Sequence, residues 1–112
     1  MNDLSCCEQV HCSGPQAGGG GIHDTFQRLR RSRRKALIPF VMAGDPTPAH
    51  TSALLSALAD AGADILEVGV PFSDPLADGP TIQRASQRAL SRGMTPQRVL
   101  QIVNDARKRV QV

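Results

Sequence analysis

At 112 residues the chain is long enough for one modest domain and too short for two. A composition of 40% hydrophobic and 21% charged residues is that of a globular protein in water, and no apolar run approaches the roughly 18 residues that span a membrane. The N-terminus lacks the basic-then-apolar layout of a signal peptide, so a cytoplasmic setting is expected, and the net charge of +3 traces mainly to one basic run.

Residues 1–21 hold all three cysteines, Cys6, Cys7 and Cys12, with His11 beside the last. Their spacing fits no zinc pattern, and an odd count without a secretion signal argues against a disulfide framework. No metal site is assigned. The segment closes on Ser13-Gly14-Pro15-Gln16-Ala17 and four glycines. No strand precedes those glycines and no Gly-Lys-Ser follows, so they read as linker rather than phosphate cradle. We divide the chain into a flexible extension, 1–21, and a domain portion, 22–112.

Asp24 is placed to cap a short basic helix running to about Lys35. Within it, residues 28–35 hold six basic side chains in eight, a pattern seen in nucleic-acid and targeting segments. No aromatic residue interleaves the run for base stacking, and Phe26 and Leu29 give it an apolar edge, so a solvated helix face is the preferred reading. Ala36 to Met42 then reads as a buried strand in which Pro39 lacks a ladder donor and imposes irregular pairing. Ala43-Gly44-Asp45-Pro46 is turn chemistry. Thr47 and Pro48 form a cap and first turn, and Leu54, Leu55, Leu58 and Ala61 make a helical stripe that stops at Gly62.

The second apolar run, Ile65 to Val70, is of strand length and is interrupted by one carboxylate, Glu67. Leu66, Val68 and Val70 share one face, and Ile65, Glu67 and Gly69 the other. Apolar residues on both faces suggest a parallel strand covered on both sides. Glu67 is then expected in a largely apolar interior, with Gly69 leaving space beside it. Burial raises a carboxyl pKa and makes the group a usable proton donor and acceptor near neutrality. Asp78 stands eleven residues later, on a loop expected to return over the end of the same strand, so that both carboxylates are expected to face one cavity. The competing reading pairs Glu67 with a base elsewhere and leaves Asp78 to cap the next helix. That helix starts near Gly79-Pro80, turns Ile82, Ala85 and Ala89 inward, and ends at Gly93. Another starts at Thr95-Pro96 with Val99, Ile102, Val103, Ala106 and Val110 on one face. A third strand is expected to start at 110–112.

Alternation of this kind implies an α/β fold built from βαβ units on a parallel sheet. Two strands cannot form a parallel sheet covered on both faces, so the sequence reads as the first part of a larger α/β domain.

The string from Glu67 through Val70-Pro71-Phe72-Ser73-Asp74-Pro75-Leu76-Ala77-Asp78 to Pro80 closely resembles the signature of the tryptophan synthase alpha chain family. Ile38 to Pro46 resembles that family's first strand and turn, and the match runs from about Ile22 onward. The resemblance implies the first part of a (β/α)₈ TIM barrel, about two βα units plus an N-terminal helix, with its active site at the C-terminal ends of the strands. It implies a carbon–carbon lyase of tryptophan biosynthesis that cleaves indole-3-glycerol phosphate to indole and glyceraldehyde 3-phosphate. Glu67 would be the general acid and base, Asp78 would accept the indole N–H, and Phe40 would line the indole pocket. Asp74 and Pro75 would face a pyridoxal-phosphate-dependent beta chain in an α₂β₂ tetramer. The alpha chain itself would need no cofactor. A complete barrel runs to about 250 residues, and the phosphate-binding loops after its seventh and eighth strands have no counterpart here, so these 112 residues alone are expected to be inactive. Two further readings are a non-catalytic module that binds a beta chain, and a nucleic-acid or targeting role for residues 28–35.

Overall fold

Pro39 sets where the sheet begins. The computed structural model describes residues 21–110. In chain order these form α1 (Ile22–Arg31), β1 (Phe40–Met42), α2 (Pro48–Asp60), β2 (Glu67–Gly69), α3 (Pro80–Ser91) and α4 (Pro96–Arg107). The expected extension lies outside the described residues except for Gly21, as does the expected third strand except for Val110. β1 and β2 pair in parallel, with Phe40 opposite Glu67, Val41 opposite Val68 and Met42 opposite Gly69. Donors on one side of a parallel strand recur at every second residue. Ala43 N–H donates to Gly69 O at 3.0 Å, and two steps of this alternation upstream reach Pro39, which has no N–H. Pro39 O still accepts from Glu67 N–H at 3.0 Å. The ladder therefore starts at Phe40, and residues 36–39, expected within the strand, lie outside it.

A buried carboxylate takes over below the proline. Asp64 Oδ2 accepts from Leu37 N–H at 3.0 Å, while Asp64 N–H donates to Leu37 O at 2.9 Å. Arg28 of α1 approaches Asp64 Oδ1 at 3.6 Å. One side chain thus holds the two strand entrances and the first helix together.

The helix ends follow local chemistry. Thr47 and Thr95 cap α2 and α4 through their hydroxyl oxygens, which accept from His50 N–H and Arg98 N–H, with Pro48 and Pro96 in the first turns. α1 departs from expectation at both ends. Gly21 occupies its cap position without a side-chain bond, which leaves Asp24 in the first turn, where its charge complements the helix dipole. Its far end closes early: Arg34 N–H donates to Leu29 O and Arg33 N–H to Arg30 O, with Arg33 at φ +53°. That is the bonding of a left-handed C-terminal cap, supplied by arginine instead of glycine. α4 likewise stops at Arg107, so Val110 lies beyond it.

Two apolar clusters flank the sheet. Val41 packs with Leu55 of α2 and Ala106 of α4, with Leu58, Leu66, Val68 and Ile102 at the margin. Met42 and Ala43 pack with Ala85 and Ala89 of α3, then Met94 and Val99. The expected inward residues of α3 and α4 lie in these clusters, apart from Val110. In α2 the stripe is displaced: Thr51 and Leu55 are buried, whereas Leu54 and Ala61 are exposed. Phe26, expected on an apolar edge of α1, is also exposed, although Leu29 is buried.

Gly44 draws α3 onto the end of β1. Its φ is +93°, and an added Cβ would collide with the Met94 side chain and lie 3.2 Å from Ala89 Cβ. Its N–H donates to the fully buried Thr51 Oγ1 at 2.9 Å. The next residue, Asp45, accepts two hydrogen bonds from Arg88 of α3, at 2.7 and 2.8 Å. The turn after β1 is therefore tied to α2 on one side and α3 on the other.

Candidate active site

Residues opposite each other in a parallel register project to the same side of the sheet. Phe40, Met42, Glu67 and Gly69 accordingly share one face, and Phe40 and Glu67 are direct partners. Gly69 is what admits the Phe40 ring: an added Cβ would collide with the ring and lie 3.2 Å from Met42 Cε. The space expected beside Glu67 is therefore filled by an aromatic side chain. Phe40 remains 43% exposed, so one flank of its ring is open.

Glu67 is exposed, contrary to the burial expected for it. β2 has β1 on one side and, among the described residues, no strand on the other. The two-sided cover that would enclose the carboxylate is thus missing on its open edge.

Asp78 ends a turn. Its N–H donates to Pro75 O at 3.1 Å, closing a four-residue β-turn over Pro75-Leu76-Ala77-Asp78. The cap of α3 is Gly79, with no side-chain bond, so Asp78 does not serve that helix as a cap. Its carboxylate is exposed and, among the described residues, forms no hydrogen bond or ion pair; the same holds for Glu67. Asp74, just before the turn, accepts from Ser73 Oγ at 2.9 Å, and its carbonyl accepts from Leu76 N–H at 2.8 Å. Pro75 is half-buried and its carbonyl is already engaged in the turn. The ladder thus brings Phe40 and Glu67 together, and the loop leaving the same strand carries Asp74, Pro75 and Asp78.

Sequence reasoning missed two supports of this region. Gln83, in the first turn of α3, donates from Nε2 to Asp78 O at 2.9 Å and to Pro75 O at 3.2 Å. Its place five residues after Asp78, on the first turn of a helix opened by proline, was the available signal. The Arg88–Asp45 pair spans 43 residues, and no local pattern announces it. The Arg88 hydrogen bonds hold the Asp45 carboxyl below its ordinary range, against the opposing effect of burial, with the charges of Arg88 and Arg92 adding to the lowering.

Other features lie apart from these carboxylates. A hollow of about 610 Å³ beside α1 is lined by residues including His23, Asp24 and Arg28. Among the described residues no group of three or more His, Cys, Asp or Glu side chains is placed to hold a metal ion, and no helix is long and apolar enough to cross a membrane.

Comparison with known proteins gives this arrangement a context. A family model described as "Tryptophan synthase alpha chain" matches residues 26–112. The chain is 64% identical over 86 residues to the tryptophan synthase alpha chain of Azoarcus sp. (strain BH72), covering 77% of this chain and 32% of that one. It is 62% identical over 87 residues to the corresponding protein of Dechloromonas aromatica (strain RCB), covering 78% and 32%. Among solved structures, tryptophan synthase subunit alpha from Legionella pneumophila str. Paris superimposes with a TM-score of 0.75 at 46% identity, covering 77% of this chain and 33% of that one. Tryptophan synthase from M. tuberculosis, in an open form with BRD0059 bound, gives 0.74 at 39% identity, with 80% and 36% covered. The chain therefore spans about a third of the length of the curated relatives it matches. Its two βα units and leading helix are the first part of a (β/α)₈ barrel, and with the family match extending over residues 26–112 the chain belongs to the tryptophan synthase alpha chain family.

Proposed function

We propose that this chain supplies the first third of an alpha chain that cleaves indole-3-glycerol phosphate to indole and glyceraldehyde 3-phosphate. The observation that carries the reading is the shared face of Phe40 and Glu67, with Asp78 on the loop leaving the same strand. In the retro-aldol step the bond between indole C3 and the glycerol chain breaks. Glu67 delivers a proton to C3 and takes one from the glycerol hydroxyl, whose oxygen becomes the aldehyde. Asp78, on its exposed loop, accepts the indole N–H and stabilises the positive charge that develops as C3 is protonated. Phe40 offers the open flank of its ring to the indole plane. No cofactor is assigned to this chain.

A pyridoxal-phosphate-dependent beta chain is the proposed partner, with Asp74 and Pro75 in the loop that meets it. Val70, Phe72 and Leu76 support this reading, because all three are exposed apolar residues on one short stretch, Leu76 at 94%. The same residues favour the second reading, a module that binds a beta chain without turnover. Co-purification with a pyridoxal-phosphate protein by a chain that yields no indole would select it.

The catalytic reading is tested in a completed barrel, this chain joined to the remaining two thirds of the 64%-identical Azoarcus relative. Glu67→Gln there should lower kcat for indole release by about 10²-fold or more, the range of general acid–base catalysis, with an unchanged circular dichroism spectrum. A wild-type rate in that variant removes Glu67 from the chemistry.

A further inference from the structure

We propose that Gln83 is the positioning residue for Asp78, its carboxamide acting as a clamp on the main chain of the turn from which the Asp78 carboxylate projects. The proposal rests on Asp78 taking part in the reaction described above.

The two ends of the Pro75–Asp78 turn converge on this one side chain. Gln83 Nε2 donates to Asp78 O at 2.9 Å and to Pro75 O at 3.2 Å. Pro75 O also receives Asp78 N–H at 3.1 Å, which uses both of its lone pairs. The carboxamide therefore grips the first and last carbonyls of the turn, while the turn's own bond joins the same two residues. Apolar packing contributes little at the tip: Leu76 is 94% exposed, and Ala77 and Asp78 are exposed as well. A short exposed turn of this kind holds its shape through hydrogen bonds, and three of those involving Pro75 and Asp78 pass through Pro75 O or Gln83.

The clamp stands on a fixed base. Five residues further along α3, Arg88 makes its two bonds to Asp45 on the turn after β1. Between them, Ala85 is buried against Met42, and Ser86 Oγ lies 3.7 Å from Met42 Sδ. α3 thus refers the Asp78 turn to the strand that carries Phe40. A carboxylate that must meet a ring N–H needs the backbone that carries it held in place, since misplacement by about 1 Å can cost 10²-fold in rate.

Only the donor character of Gln83 is used in these contacts, so the test separates donors from non-donors of similar length. In the completed barrel, Gln83→Met and Gln83→Glu remove the N–H groups, and Gln83→Lys retains donors of comparable reach. We expect kcat to fall about tenfold or more in the Met and Glu variants, with KM within about twofold, and to recover toward wild type in Gln83→Lys. Melting temperature is measured alongside. A loss that tracks melting temperature, falls equally on all three variants, or is absent overturns the clamp. Asp78→Asn is assayed in parallel. If it retains the wild-type rate, the assigned role of Asp78 fails; if it is inactive while Gln83→Met is unaffected, that role stands and the clamp alone is refuted.

Discussion

The surface that Phe40 presents depends on one missing side chain. Gly69 lies opposite Met42 and next to the Phe40 ring, and only a hydrogen fits between them. Gly69→Ala in the completed barrel should displace the ring, lower stability by about 1–3 kcal/mol through overpacking, and raise KM for indole-3-glycerol phosphate more than it lowers kcat. Urea midpoints and steady-state kinetics measure both effects. An unchanged KM with reduced stability would leave Phe40 as ordinary packing. At this scale the sequence identified the residue types well but misjudged the environment of Glu67. Alternation along a strand tells which residues share a face, and it placed Glu67 with Gly69 correctly. Burial depends on what lies beyond that face, and the open edge of β2 leaves Glu67 exposed.

Among elements, α3 is held by more than its apolar face. Its bond to the β1–α2 turn is the Asp45–Arg88 pair, and this pair has a pH signature. The folded-state pKa of Asp45 lies below its ordinary value of 3.8, chiefly because Arg88 donates hydrogen bonds to the charged form. A group with a depressed folded pKa contributes stability in full above its unfolded pKa and loses it as pH falls through the folded one. The melting temperature of the wild-type completed barrel should therefore exceed that of Asp45→Asn above about pH 4, and the gap should close as pH falls further. The gap should be small and reduced by salt, because Arg88 is half-exposed. A gap that stays constant down to pH 2 would show that titration of Asp45 is not coupled to folding. Element boundaries were legible wherever local chemistry decides them. Thr-Pro starts placed the beginnings of α2 and α4, Gly79-Pro80 that of α3, and glycine stops the ends of α2 and α3 to within a few residues, whereas α1 ended four residues early because Arg33 adopts the left-handed cap conformation itself.

For the whole molecule, the described residues form a two-stranded parallel sheet with helices packed around it, and β2 is left with an open edge. Both proposed catalytic carboxylates are exposed, Glu67 in β2 and Asp78 on the loop that follows it. Expressed by itself, the 112-residue chain should release no indole above background from indole-3-glycerol phosphate, whatever its affinity for a partner; measurable turnover would show that the first third of the barrel suffices. The sequence by itself determined the alternation of helices and strands, the face shared by Glu67 and Gly69, and the family, through the string from Glu67 to Pro80. These are properties of neighbours along the chain, set by side-chain period, capping and turn chemistry. Only the tertiary structure decided that Phe40 fills the space over Gly69, that Asp64 continues the pairing Pro39 interrupts, and that Gln83 and Arg88 fix the Asp78 turn to the end of β1. Apart from the five-residue step from Asp78 to Gln83, those contacts join residues brought close by packing, and no pattern read along the chain carries the distance between them.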